Sequence, residues 1–149
     1  MFKIIPYDRK YRDDMLLCYL LAKDAISNNI RLSEDLLDIQ GRYFDKGDMF
    51  WLALGEDNRV VGMIGTNTIS PADMWLKRLF IKPNHKRKGI ATALLATAEE
   101  WAKTRKIETI NTRFASHYAA APTFYSSKGY IEIGVSNGNR HFAKNIKPI

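Results

Sequence analysis

The sequence has little of what builds covalent or metal-held scaffolds. Its single cysteine, Cys18, has no partner for an internal disulfide, and its three histidines are scattered without metal-ligand spacing. Disulfide frameworks and zinc modules are excluded, and no metal is expected. No run of about 18 apolar residues occurs, and the first residues turn charged before a signal-peptide apolar region can form. The expectation is a cytoplasmic protein with no membrane partner. Internal repeats, low-complexity tracts and stretches rich in Pro, Gly or Ser are also lacking, so nothing marks a domain boundary. Residues 1–149 are read as one domain, since two cores in 149 residues would each bury too little apolar surface.

What is present fits a folded chain: 46% of residues are hydrophobic and 26% charged, close to the globular average. Acidic residues are scarce in the second half. Residues 1–74 carry 9 basic and 12 acidic side chains, whereas residues 75–149 carry 14 and 4, so the halves are −3 and +10. Such asymmetry points to a polyanionic partner for the second half, and composition alone does not choose among nucleic acid, membrane surface and phosphorylated ligand.

Along the chain, residues 2–7 read as a first strand, and Met15, Leu16, Tyr19, Leu20 and Lys23 recur at helical spacing after Asp13 and Asp14. Ser33 before Glu34 and Asp35 reads as the N-cap of a second helix through Tyr43, stopping near Gly47. Residues 49–55 and 59–69 form a predicted hairpin, and residues 74–81 a central strand ending at Pro83. Ile90, Leu94, Leu95, Ala98, Trp101 and Ala102 make an apolar helical stripe. Residues 107–114 read as a strand, Tyr118 to Lys128 as a helix closed by Gly129, and the last two strands as a hairpin turning at Asn137-Gly138. The predicted order is β-α-α-β-β-β-α-β-α-β-β, an α/β (α+β) class with a central sheet flanked by helices.

The segment His85-Lys86-Arg87-Lys88-Gly89 falls between the central strand and the apolar-striped helix. Free amides and the positive dipole end of a helix disfavour neighbouring cations, so this cluster calls for a negative ligand. A phosphate would accept from the free N–H groups while Gly89 and Ala91 allow close approach, with Thr92 adding a hydroxyl. A solvated loop face is the plain alternative.

These residues resemble the GCN5-related N-acetyltransferase (GNAT) family, whose signature is Arg/Gln-x-x-Gly-x-Gly/Ala between a strand and a helix. It stands here as Lys86-Arg87-Lys88-Gly89-Ile90-Ala91, with Lys at the first position. Residues 121–133 (APTFYSSKGYIEI) are similar to the family's Ala-x-x-Leu/Phe-Tyr-x-x-x-Gly-Phe segment. Two motifs in the expected order are more specific than one.

The resemblance implies a mixed, mostly antiparallel sheet and acetyl-CoA as cosubstrate. Leu79, Phe80 and Ile81 would pair their backbone with the pantetheine arm, and the amides from Lys86 to Ala91, including Ile90, would hold the pyrophosphate with Thr92. A neutral amine would attack directly, and Tyr125 would be the general acid for the departing thiolate; a phenol is chemically suited to donate to sulfur. Core packing is the ordinary role of a helical tyrosine. The usual acidic base on the central strand is missing, leaving Asp73, His117 or solvent, and the family's Asn before the tyrosine is Tyr118 here. The expected partner is a small-molecule or peptide amine, with no nucleic acid; Tyr43, Asp45, Asp48, Phe50 and Trp51 are candidates to receive it or ordinary core and turn residues. Family members often dimerise, and nothing in this sequence demands it. A noncatalytic CoA sensor and a basic nucleic-acid-binding module are the rival readings; the latter lacks interleaved aromatics.

Overall fold

A computed structural model describes residues 1–27 and 31–147. Seven strands form one mixed sheet in the order β1-β2-β3-β4-β5-β7-β6, where β1 is Lys3–Pro6, β2 Phe50–Leu54, β3 Val60–Thr68, β4 Asp73–Ile81, β5 Thr109–Ala115, β6 Ile131–Ser136 and β7 Asn139–Asn145. The pairs β1/β2, β2/β3, β5/β7 and β7/β6 are antiparallel, and β4/β5 is parallel from Asp73↔Thr109 to Trp75↔Asn111. The α-helices are α1 (Arg12–Asp24), the single turn α2 (Ile39–Arg42), α3 (Ile90–Thr104) and α4 (Ala121–Ser127). This is the central sheet flanked by helices that the sequence predicts, mixed and mostly antiparallel as the resemblance implies. Among the described residues no helix is long and apolar enough to cross a membrane.

By backbone proximity the chain divides into two compact units, residues 1–67 with 77–98, and residues 68–76 with 99–149. In the first, β2 is buried along its whole length because both faces of the sheet are covered. Met15, Cys18 and Tyr19 of α1 pack with Leu36, Ile39, Phe50, Leu52 and Met63 on one face. On the other, a Cβ at Gly62 would lie 2.8 Å from Ile81, 3.0 Å from Ile90 and 3.1 Å from Leu94, so glycine there lets the start of α3 sit down on the strands.

In the second unit Ile110, Phe114, Tyr125, Tyr130 and Phe142 are buried together with Ala102 and Ile107. The closing turn has Asn137 at φ 53° and Gly138 at φ 77°, the two left-handed residues that a type I′ hairpin requires.

Three local expectations are corrected. The predicted second helix is instead two 3-10 turns, Glu34–Leu37 and Phe44–Lys46, around α2. Ser33 makes no capping bond; its hydroxyl shares a hydrogen bond with Tyr19, and Asp38 caps α2 by accepting from the Gly41 amide at 3.0 Å. The helix expected from Tyr118 begins at Ala121, because Pro122 has no N–H to donate to the Tyr118 carbonyl and so belongs in a first turn.

Candidate active site

The first unit carries the phosphate-binding candidates in one continuous run. β4 ends at Ile81, a 3-10 turn covers Pro83–His85, and α3 starts at Ile90. The first bond of α3 is from the Ala93 amide to the Gly89 carbonyl at 3.0 Å, which leaves the amides of Ile90, Ala91 and Thr92 ahead of the helical ladder. Arg87 and Gly89 are both left-handed, with φ 63° and 82°. Lys86, Arg87, Lys88 and Gly89 are exposed, and a Cβ added at Gly89 would meet no atom within 4 Å, so space stands open above the backbone.

The cations set the local potential. The His85 imidazole is held below its ordinary pKa by burial, then by the charges of Lys88 and Lys82. Free amides beside exposed cations make this turn a candidate site for an anion.

Leu79, Phe80 and Ile81 precede this turn. The Phe80 ring meets Tyr19 edge-on at 5.1 Å, and Ile81 is buried toward α3, so these two side chains serve the core. Just before them, Arg78 adopts φ 59° in the interior of β4. A left-handed non-glycine residue inside a strand is strained, and here a partner fixes it. The Arg78 guanidinium donates to both carboxylate oxygens of Asp35, at 3.0 and 2.8 Å, and the Tyr43 hydroxyl donates to Asp35 at 2.6 Å. Burial would raise the Asp35 carboxyl, but the bonds from Arg78 and Tyr43 outweigh it and hold the pKa below the usual range. Burial and Asp35 push the Tyr43 phenol upward.

Tyr125 lies in the second unit, on α4, and is only 6% exposed. Its ring stacks on Phe114 at 5.7 Å with the planes 10° apart, and meets Phe124 and Tyr130 edge-on. Burial raises its pKa, a hydrogen bond with the Thr112 side chain opposing, so the phenol stays protonated at neutral pH. Asp73 accepts from the Ser70 hydroxyl at 2.8 Å inside its turn, and His117 packs edge-on against Tyr118. Of the acceptor candidates, Tyr43, Phe50 and Trp51 are core residues, Asp45 binds Gln40, and buried Asp48 accepts from Thr66.

Two groupings escaped sequence reasoning: the Asp35–Arg78–Tyr43 network, and a cluster of Trp75, Asn111, Arg113 and His141 on β4, β5 and β7. Both join residues far apart in sequence, so no local motif announces them.

A mixed sheet whose central strand runs into an amide-lined cationic turn defines an α/β protein with a candidate anion site at that turn. A sequence model described as the acetyltransferase (GNAT) family matches residues 14–130, and the chain belongs to that family. It is similar to human N-acetyltransferase 8, 30% identical over 114 residues that cover 72% of this chain and 50% of the relative. N-acetylaspartate synthetase of Xenopus tropicalis is 29% identical over 121 residues, 78% of this chain and 44% of that protein. The chain thus spans about half the length of the curated relatives it matches. A solved GNAT-family acetyltransferase of Staphylococcus aureus Mu50 superposes with a TM-score of 0.88 at 26% identity, covering 99% of this chain and 100% of that one. PaiA N-acetyltransferase of Thermoplasma acidophilum, solved in complex with coenzyme A, shares the fold at a TM-score of 0.81 and 18% identity, covering 98% and 99% of the two chains.

Proposed function

We propose that residues 1–149 work as a single N-acetyltransferase domain that moves the acetyl group of acetyl-CoA to a primary amine of a small molecule or peptide. The observation that carries this reading is the turn at 86–92, where free amides, a left-handed Gly89 with open space above it and exposed cations meet. Its amides and the Thr92 hydroxyl hold the diphosphate; a protein of the same fold was solved in complex with coenzyme A. The backbone of Leu79, Phe80 and Ile81 receives the pantetheine arm. Bound acetyl-CoA supplies an acyl group on a thiol leaving group. Tyr125, kept protonated by burial, donates to the departing sulfur.

One observation favours a second reading. Tyr125 is enclosed by aromatic rings and already hydrogen-bonded with Thr112, as a structural tyrosine in a noncatalytic CoA sensor would be. A thiol-release assay with acetyl-CoA against amino acids, peptides, polyamines and aminoglycosides separates the two. Turnover with one amine class supports the enzyme, and CoA binding without turnover against the whole panel supports the sensor. Tyr125→Phe is expected to lower kcat about 10²-fold or more with little change in the KM for acetyl-CoA. Undiminished kcat would remove the acid role.

A further inference from the structure

The base for the amine is unassigned by sequence, and the second unit offers one. Trp75 of β4, Asn111 and Arg113 of β5 and His141 of β7 share one face of the sheet, opposite the face on which Phe114 and Phe142 pack with Tyr125. The His141 imidazole stacks on the Trp75 indole at 4.7 Å with the planes 29° apart, and the Arg113 guanidinium lies 5.1 Å from the same indole. Asn111, 8% exposed, donates its amide N–H to the Met74 carbonyl at 3.3 Å. That bond fixes the amide's orientation and turns its oxygen to His141 Nε2, 2.9 Å away. A carbonyl oxygen only accepts, so Nε2 carries the proton and Nδ1 carries the lone pair. No described residue is hydrogen-bonded to Nδ1.

Resting on the acetyltransferase reading, we infer that this face is the acceptor subsite, that His141 Nδ1 takes the proton from the acceptor's ammonium, and that the acceptor is a monoamine carrying an anionic group. The step balances simply. One N–H bond of the ammonium breaks as the Nδ1–H bond forms, the nitrogen keeps the electron pair it uses on the acetyl carbon, and the imidazolium later releases its proton to solvent. The second amine proton leaves to solvent as the amide forms, and the phenolate left by protonating the sulfur regains its proton from solvent.

The charges around His141 support this. Arg113 faces it from β5, neutral Trp75 from β4 and Gly134 from β6; on β7 itself the adjacent Arg140 is bonded to Glu132, while Asp73, two residues before Trp75, is engaged by Ser70. Burial and then the Arg113 charge hold the imidazole below its ordinary pKa, so it is neutral and able to accept at pH 7. The exposed Arg113 cation repels a polyamine and attracts an acceptor carboxylate or phosphate.

The test uses the full chain. Nitrogen-15 NMR of His141 in the free protein should show the Nε2–H tautomer and a pKa below 6.5; an Nδ1–H tautomer overturns the assignment. His141→Gln, which keeps a donor for Asn111, is expected to lower kcat/KM at pH 7 about 10²- to 10⁴-fold. The deficit should shrink as pH approaches the acceptor's own pKa, with CoA affinity by calorimetry unchanged. Arg113→Gln should move the acid limb of the wild-type profile to higher pH. A pH profile unchanged in His141→Gln, or polyamines acetylated in preference to amino acids, overturns this inference while leaving the acetyltransferase intact. Failure of the wild type to bind CoA or turn over any amine overturns both.

Discussion

Replacing Asp35 by alanine should be among the costliest single changes in the first unit, because one carboxylate satisfies three donors there. Its side chain is 16% exposed and that of Arg78 28% exposed, so the pair lies between a surface ion pair and a sealed one. Asp35→Ala strands a largely buried guanidinium and the hydroxyl of buried Tyr43. A stranded buried charge costs about 3–5 kcal/mol and a surface pair about 0–1 kcal/mol. Partial exposure of Arg78 places the expected loss near 3 kcal/mol, a fall in Tm of roughly 6–12 °C for a chain of this size. Adding Arg78→Met should recover much of that, since the lone charge is gone. The pH dependence follows from the depressed Asp35 pKa. Its contribution is whole above the unfolded value near 3.9 and fades as pH falls through the folded pKa, so wild type and variant converge in acid. Urea titrations at pH 7 and pH 3 read both effects. A loss below about 1 kcal/mol at pH 7, or a double variant as unstable as the two singles combined, would refute the reasoning.

Two further outcomes are expected. Gly89→Val places a β-branched residue at φ 82° and a side chain in the open space above the turn, so CoA should lose most of the thermal stabilisation it gives the wild type, about 2.7 kcal/mol at a hundredfold excess over Kd. An undiminished shift would move the diphosphate elsewhere. Burial pushes the Cys18 thiol up to about 12, so a thiol reagent at neutral pH should leave the native chain unmodified and label it fully in urea. Prompt labelling of native protein would contradict its packing.

The elements that follow from local chemistry were legible. The apolar stripe of α3 and the Asn-Gly turn needed only periodicity and turn preferences, and both lie where those place them. The strand-turn-helix run at 79–92 was legible for the same reason, since its candidate residues are consecutive. Local signals misled where two competed. Ser33 looked like a cap, yet the chain breaks into 3-10 turns around α2, and it is α2 that is capped, by Asp38, whose carboxylate reaches the Gly41 amide. His141 and Asn111 are 30 residues apart, and Arg78 and Asp35 are 43 apart. Such pairs are brought together by sheet register and packing, which a single sequence records only as alternation, so a base locked in one tautomer leaves no trace in the letters.

The two left-handed residues of the turn, Arg87 and Gly89, reverse the backbone's sense on either side of Lys88. Where the amides end up therefore depends on how many residues separate the strand from the helix far more than on which side chains they bear. The exposed lysine at 86 leaves that spacing unchanged. Inserting or deleting a single residue between 83 and 90 would shift these two left-handed residues against the start of α3, so the stretch tolerates a change of letter better than a change of length.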